Sequence, residues 1–267
     1  MKLVVKVGGA QLEDAGARAA LAASVARAKG AGHALVLVHG GGNQIRNLVR
    51  SLGLAERYHE GLRVTDAATA DVVLMVLAGL VNKVLVQALC DAGVRAAGLC
   101  GADGGSFAAE RTEIPGVDLG YVGTIARVDP MLLSTLLEAG LLPVIATAAP
   151  AVSDARGPRE HFYNVNADLA AGPIARAIEA DALLFLTDVP AVLDGERAPI
   201  ARLSRARARA LRAGGVITGG MIPKVEAALA ALANLPSGLV KIAPAAGEDA
   251  IRAALDPSLG TRFLAED

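Results

Sequence analysis

The chain of 267 residues contains no tryptophan, and aromatic residues make up only 3% of it. Its core must therefore be built from Ala, Val, Leu and Ile rather than from rings. An excess of one charge is also missing. The net charge of -1 removes the electrostatic case for nucleic acid or an anionic membrane as a partner. Two cysteines, Cys90 and Cys100, are too few for a disulfide scaffold and read as reduced, buried thiols. Residues 1–7 are interrupted by Lys2 and Lys6, so they do not read as a secretory signal. No uninterrupted apolar run approaches the roughly 20 residues of a membrane span, and a cytoplasmic location is expected. The histidines, His33, His39, His59 and His161, lack metal-ligand spacing. No P-loop, Gly-x-Gly-x-x-Gly fingerprint or Gly-x-Ser-x-Gly elbow occurs, which leaves hydrolase and zinc-enzyme readings without support.

What is present is alternation. Hydrophobic residues are 53% of the chain, and they are spread over many short elements. β-branched runs at 3–7, 34–38, 96–100, 144–148, 182–186 and 238–242 predict strands. Ala- and Leu-rich stretches at 15–31, from about 44, and at 66–92, 130–139, 168–179 and 221–233 predict helices. This order specifies an α/β fold, an open and largely parallel sheet with helices on both faces. A β-hairpin is expected over 111–126, punctuated by Gly116, Gly120 and Gly123. The polar stretch Arg156-Gly157-Pro158 is expected to mark a boundary between two lobes.

Ligands of such sheets collect at the carboxyl ends of strands. Glycines cluster there: Gly8-Gly9, Gly40-Gly41-Gly42 and the 101–105 segment. Gly40-Gly41-Gly42 reads either as a tight strand-to-helix turn or as a cradle of backbone N–H groups for an anion. Lys6 sits among Val4, Val5 and Val7, where a charge needs a partner or an anionic ligand. Lys224 opens a helix after Gly219-Gly220-Met221-Ile222-Pro223. Each lysine is either a snorkelling surface residue or a countercharge for a transferring phosphoryl group. Asp168 reads as an N-cap or first-turn acid, or as a carboxylate holding two lysines in register. Arg63, in Gly61-Leu62-Arg63-Val64-Thr65-Asp66, is a surface residue or a clamp for a substrate carboxylate.

In order and spacing these segments resemble the amino-acid kinase family and, within it, the acetylglutamate kinases. The matching strings are Lys6-Val7-Gly8-Gly9, the triple glycine, Gly61 to Thr65, Val81-Asn82-Lys83, the 101–105 segment, Asn164 to Asp168, Leu186-Thr187-Asp188-Val189, Gly219 to Lys224 and Gly260-Thr261. The resemblance covers nearly the whole chain. It implies a three-layer αβα sandwich with an N-terminal lobe, 1–167, for the acyl acceptor and the dimer contact, and a C-terminal lobe, 168–267, for ATP. It implies catalytic roles for Lys6, Lys224 and Asp168, and phosphate contacts at Gly8 and Gly9. Gly41, Gly42, Arg63, Asn164 and Asn166 would bind the acceptor, and Asp188, Gly219 and Gly220 would lie at the nucleotide. The implied substrates are N-acetyl-L-glutamate and ATP. Mg²⁺ would be held mainly by ATP phosphates, without a protein metal cage, and the chain would form a homodimer. Lys6 follows Met1 by five residues. The family's hexameric, arginine-inhibited form, which carries an extra N-terminal helix, is therefore not expected.

One chemical feature agrees. A carboxylate acceptor with a pKa of about 4.3 is already ionised at neutral pH and needs no general base. The chain departs from the family pattern at Ala102, Ala191 and Ala243-Pro244-Ala245. Two alternatives stand beside this reading. One is a kinase for a carrier-protein-linked glutamate or aminoadipate, which an assay with free N-acetyl-L-glutamate separates. The other is a non-catalytic sensor on the same fold, marked by loss of a phosphate lysine or the aspartate; Lys6, Lys224 and Asp168 are all present.

Overall fold

The first strand, Lys2–Val7, alternates with period two. Leu3, Val5 and Val7 enter one apolar core and Val4 enters another. A strand that is apolar on both faces belongs in the middle of a covered sheet. Lys2–Val7 indeed pairs in parallel with Ala34–His39 on one side and Ala182–Thr187 on the other. The protein is seen in a computed structural model that describes residues 1–152, 160–235, 238–245 and 247–266. Among these residues the main sheet has eight strands, in the spatial order Arg202–Ser204, Thr261–Leu264, Leu239–Pro244, Ala182–Thr187, Lys2–Val7, Ala34–His39, Leu142–Ala146 and Ala96–Leu99. Neighbours are parallel except for Leu239–Pro244 against Thr261–Leu264.

Helices cover both faces, so the three-layer αβα expectation holds. Ala15–Gly30, Gly42–Ser51 and Asn82–Asp91 bury Leu21, Ile45, Val49 and Leu85 against Leu3, Val5 and Leu37. Ala167–Ala177 and Met221–Asn234 bury Ala170, Ile174 and Ala228 against Val4, Val36 and Phe185. Strands from earlier in the chain lie on one side of Lys2–Val7 and later strands on the other. The chain therefore leaves the strands flanking Lys2–Val7 in opposite directions, which opens a crevice at their carboxyl ends.

Residues 67–91 form one helical run, Ala67–Leu74 and Asn82–Asp91 joined by a π-wound segment, Met75–Val81. By length and composition this run is apolar enough to cross a membrane. However, Val72, Val76, Leu77, Val81, Leu85 and Leu89 are buried in the core, as they are in the core helix of a globular domain.

Three local expectations are corrected, and a fourth falls on residues that are not described. The hairpin pairs Phe107–Arg111 with Val122–Val128, so its first strand ends where it was expected to begin. The expected 144–148 strand is Leu142–Ala146. After Thr147, Ala148–Ala149 joins a second sheet with Phe107–Arg111, Val122–Val128 and Tyr163–Val165. Cys100 is buried, but Cys90 is exposed. Arg156, Gly157 and Pro158 lie outside the described residues. One hairpin glycine is required by geometry. Gly120 has φ +65°, and a Cβ there would sit 2.2 Å from the Thr65 carbonyl oxygen. That close approach ties the segment leading into Val122–Val128 to Thr65, which lies between Arg63 and Asp66.

Candidate active site

Lys6 shares a strand face with Val4, and the helix Ala167–Ala177 packs against that face. The first turn of this helix places Asp168 beneath the lysine. The Lys6 Nζ lies 2.6 Å from Asp168 Oδ1, and the Lys224 Nζ lies 3.7 Å from Oδ2. Asp168 is not the N-cap. Asn166 fills that position, its Oδ1 accepting from the Asp168 N–H at 2.8 Å, and this leaves the Asp168 carboxylate free for the lysines. Burial lowers the Lys6 ammonium from its ordinary range, and the nearby Lys224 charge lowers it further, while Asp168 opposes both. Burial also disfavours the Asp168 anion, but the two ammonium groups outweigh it and hold its carboxyl below the usual range. Two cations around one carboxylate leave an excess of positive charge in a dry place, which suits a multiply charged anion.

A cavity of about 270 Å³ opens beside this pair. Lys6, Asp168, Gly8, Gly9 and Gly40 to Gly42 line it, and so do Arg63, Asn164 and Asn166. The triple glycine lines the cavity and leads into the helix Gly42–Ser51, whose N-terminus is an end that favours an anion. Gly41 allows a close approach. A Cβ there would lie 2.8 Å from Leu77 Cδ2 and 3.1 Å from Val81 Cγ2 on the π-wound segment. Arg63 is buried and held on three sides. Its Nη2 donates to the Gly42 carbonyl at 3.1 Å, its Nη1 donates to Glu56 Oε1 at 3.2 Å, and the Tyr58 ring centroid lies 4.8 Å from its Cζ. Asn164 Nδ2 donates to Thr65 Oγ1 at 3.2 Å.

His39 ends its strand immediately before Gly40. Its Nδ1 donates to the Gly40 carbonyl at 2.8 Å, and its Nε2 accepts from Asn82 Nδ2 at 3.0 Å. Lys83 holds the other end of Asn82, donating to its Oδ1 at 3.0 Å. The network pins the 67–91 helix to the base of the glycine turn. Burial, aided by the Lys83 charge, pushes the His39 pKa down to about 4. The folded state thus takes up the proton less readily than the unfolded chain, whose reference value is 6.5. The associated stability is complete above pH 6.5 and is lost as pH falls toward 4, amounting to about 3 kcal/mol. Urea midpoints measured from pH 7 to 5 are expected to fall more steeply in the native chain than in His39→Gln. Equal slopes would remove His39 as the source.

The structure does not bring every expected residue to this cavity. Lys224 reaches Asp168 from outside its lining. Asp188 is exposed at the end of Ala182–Thr187, where it accepts from Thr187 Oγ1 at 2.9 Å, and Gly219 and Gly220 are exposed ahead of Met221–Asn234. The cavity also contains residues that the sequence did not single out, Arg46 and Tyr58, with Glu56 behind them. Among the described residues, no group of three or more His, Cys, Asp or Glu side chains gathers around a metal site.

The sequence matches the amino acid kinase family over residues 1–240. The chain belongs to that family. Among its relatives, the acetylglutamate kinase of Allorhizobium ampelinum is 44% identical over 240 residues, spanning 86% of this chain and 79% of the relative. A crystal structure of smu.665 from Streptococcus mutans UA159 superposes with a TM-score of 0.80 at 28% identity, covering 99% of each chain. The Neisseria gonorrhoeae N-acetylglutamate synthase complexed with coenzyme A and N-acetyl-glutamate gives a TM-score of 0.81 at 25% identity, covering all of this chain and 60% of the synthase chain.

Proposed function

We propose that the chain is an acetylglutamate kinase, which transfers the γ-phosphate of ATP to the side-chain carboxylate of N-acetyl-L-glutamate in arginine biosynthesis. One observation carries the reading. A single cavity is lined by the Lys6–Asp168 pair, by the glycine turns and by Arg63, whose guanidinium is hydrogen-bonded in place. In this reading, Arg63 and Asn164 hold the acceptor's α-carboxylate, and Asn166 also contributes to acceptor binding. A side-chain carboxylate oxygen attacks the γ-phosphorus, and the bond from that phosphorus to the β,γ-bridging oxygen breaks. That oxygen leaves as part of ADP, and the acceptor becomes an acyl phosphate. No proton moves, so no general base is required.

The obstacle is repulsion between two anions. Lys6 and Lys224 neutralise charge on the phosphoryl group, while Gly8, Gly9, Gly41 and Gly42 offer backbone N–H groups. Asp168 keeps the two lysines in register. With its carboxylate taken by two ammonium groups, Mg²⁺ comes with the ATP phosphates and water. Residues 1–167 then hold the acceptor, and residues 168–267, with Asp188, Gly219 and Gly220, hold the nucleotide. The reaction belongs in the cytoplasm.

Hydroxylamine trapping tests the activity directly. With MgATP, an acyl hydroxamate is expected from N-acetyl-L-glutamate and not from free L-glutamate or L-aspartate. Absence of product from N-acetyl-L-glutamate overturns the proposal. The same reading includes a homodimer. Met75, Leu80 and Val84 are exposed apolar residues on the 67–91 helix, which suits an isologous contact between two copies. Light scattering is expected to give twice the chain mass, and Leu80→Arg is expected to give a monomer. A native chain that is monomeric at tens of micromolar overturns the dimer.

A further inference from the structure

Glu56 lies between the helix Gly42–Ser51 and the small hairpin formed by Tyr58–His59 and Leu62–Arg63. Four side chains converge on its carboxylate. The Tyr58 hydroxyl donates to Oε1 at 2.7 Å, Arg46 Nε at 3.0 Å and Arg63 Nη1 at 3.2 Å, while Arg50 Nε donates to Oε2 at 3.2 Å. The Tyr58 hydrogen bond, with those from Arg46 and Arg63 and the charge of Arg50, pushes the Glu56 pKa down to about 2 despite an opposing effect of burial. Glu56 therefore stays ionised throughout any practical assay.

One carboxylate among three guanidinium groups leaves the cluster with surplus positive charge. Arg50 is largely exposed, whereas Arg46 and Arg63 both line the cavity. Arg46 is steadied further, its Nη1 donating to Asn43 Oδ1 at 3.1 Å. Two guanidinium groups side by side on one wall of a concave site favour a ligand that brings its own planar anion.

Resting on the reaction proposed above, we infer that Glu56 is a positioning residue that aims Arg63 and Arg46 together at the acceptor's non-reacting carboxylate, and that Arg46 sets the preference for a dianionic acceptor. Without the Glu56 charge, the guanidinium groups repel one another and Arg63 loses one of its two hydrogen-bonded anchors. The non-reacting carboxylate has the same charge before and during phosphoryl transfer. Its contacts therefore act on binding rather than on the chemical step.

The test compares the native chain, Glu56→Gln and Arg46→Met in steady-state kinetics with two acceptors. These are N-acetyl-L-glutamate and its α-amide, which keeps the reacting carboxylate and lacks the other. Each variant is expected to raise the KM for N-acetyl-L-glutamate by about tenfold or more, the scale of one charge-assisted contact. The kcat and the KM for ATP are expected to stay within about threefold. The α-amide is expected to be a poor substrate for all three proteins with little change among them, so the native preference for the diacid narrows. Equal losses with both acceptors, or a fall in kcat alone, would mark a merely structural role and overturn the inference. So would an unchanged KM in both variants. If Glu56→Gln does not fold, Arg46→Met decides the matter alone. A native chain inactive on N-acetyl-L-glutamate overturns the proposed reaction itself. That result is distinct from an active native chain whose variants keep the native KM.

Discussion

Replacing Lys224 with alanine is expected to lower kcat by on the order of 10²–10³, the scale for losing one preorganised electrostatic donor. Its Nζ lies 3.7 Å from Asp168 Oδ2, and its side chain is only partly buried. Removal therefore leaves the core intact, and the melting temperature should change little. The proposed role concerns charge that develops on the transferring phosphoryl group, so kcat should fall much more than the KM for ATP rises. Lys6→Ala should fall at least as far, with an added cost in stability, because its ammonium is buried and paired at 2.6 Å with Asp168. Single-turnover measurements at saturating MgATP and N-acetyl-L-glutamate separate these effects from product release. Near-native rates in Lys224→Ala would leave Asp168 and Lys6 as a structural ion pair and remove Lys224 from the chemistry.

The parts of this site legible in the sequence were those announced by local conflict. A lysine among valines in a strand apolar on both faces demanded a partner, and Lys6 has one. Glycines immediately after strands pointed to the carboxyl edge of the sheet, where the cavity lies. The partner's identity was not legible from spacing, since residues 6, 168 and 224 meet only because strand, helix and helix pack around one sheet. In the string Asn164-Val165-Asn166-Ala167-Asp168, several residues are able to cap a helix. Which one does so depends on where the strand Tyr163–Val165 ends, and that strand is fixed by pairing with Val122–Val128 and Ala148–Ala149. The short edge strands Arg202–Ser204 and Thr261–Leu264 lack enough residues for a periodic signal. The Glu56 cluster left no local trace either. Its members come from a helix, a loop and a hairpin, and each alone resembles an ordinary surface charge. The resemblance to the amino-acid kinases supplied the role proposed for Arg63, while the packing of these elements shows what holds it.

Asp168→Asn probes the array from its other side, with opposite expectations for stability and for pH. The substitution keeps the volume but leaves Lys6 buried without a countercharge, and breaking a buried pair in this way costs roughly 3–5 kcal/mol. The chain avoids part of that cost by releasing the Lys6 proton, because burial already lowers the pKa of this ammonium and Asp168 is what opposes the fall. Turnover at neutral pH is expected to drop by at least on the order of 10², the scale for one lost electrostatic donor. The variant should recover part of its rate as pH is lowered from 8 to 6, since protonation restores the Lys6 charge that the phosphoryl group requires. The native enzyme should gain less over that range, because Asp168 opposes the lowering of its Lys6 pKa. Stability should move the opposite way: as pH falls and Lys6 takes up its proton, the gap between variant and native chain widens, because the buried ammonium then lacks a countercharge. Rates measured across this window, with the folded fraction checked by circular dichroism at each pH, decide the matter. A variant whose rate loss is the same at every pH would mean that Asp168 acts through the geometry of the helix Ala167–Ala177 rather than through the charge of Lys6.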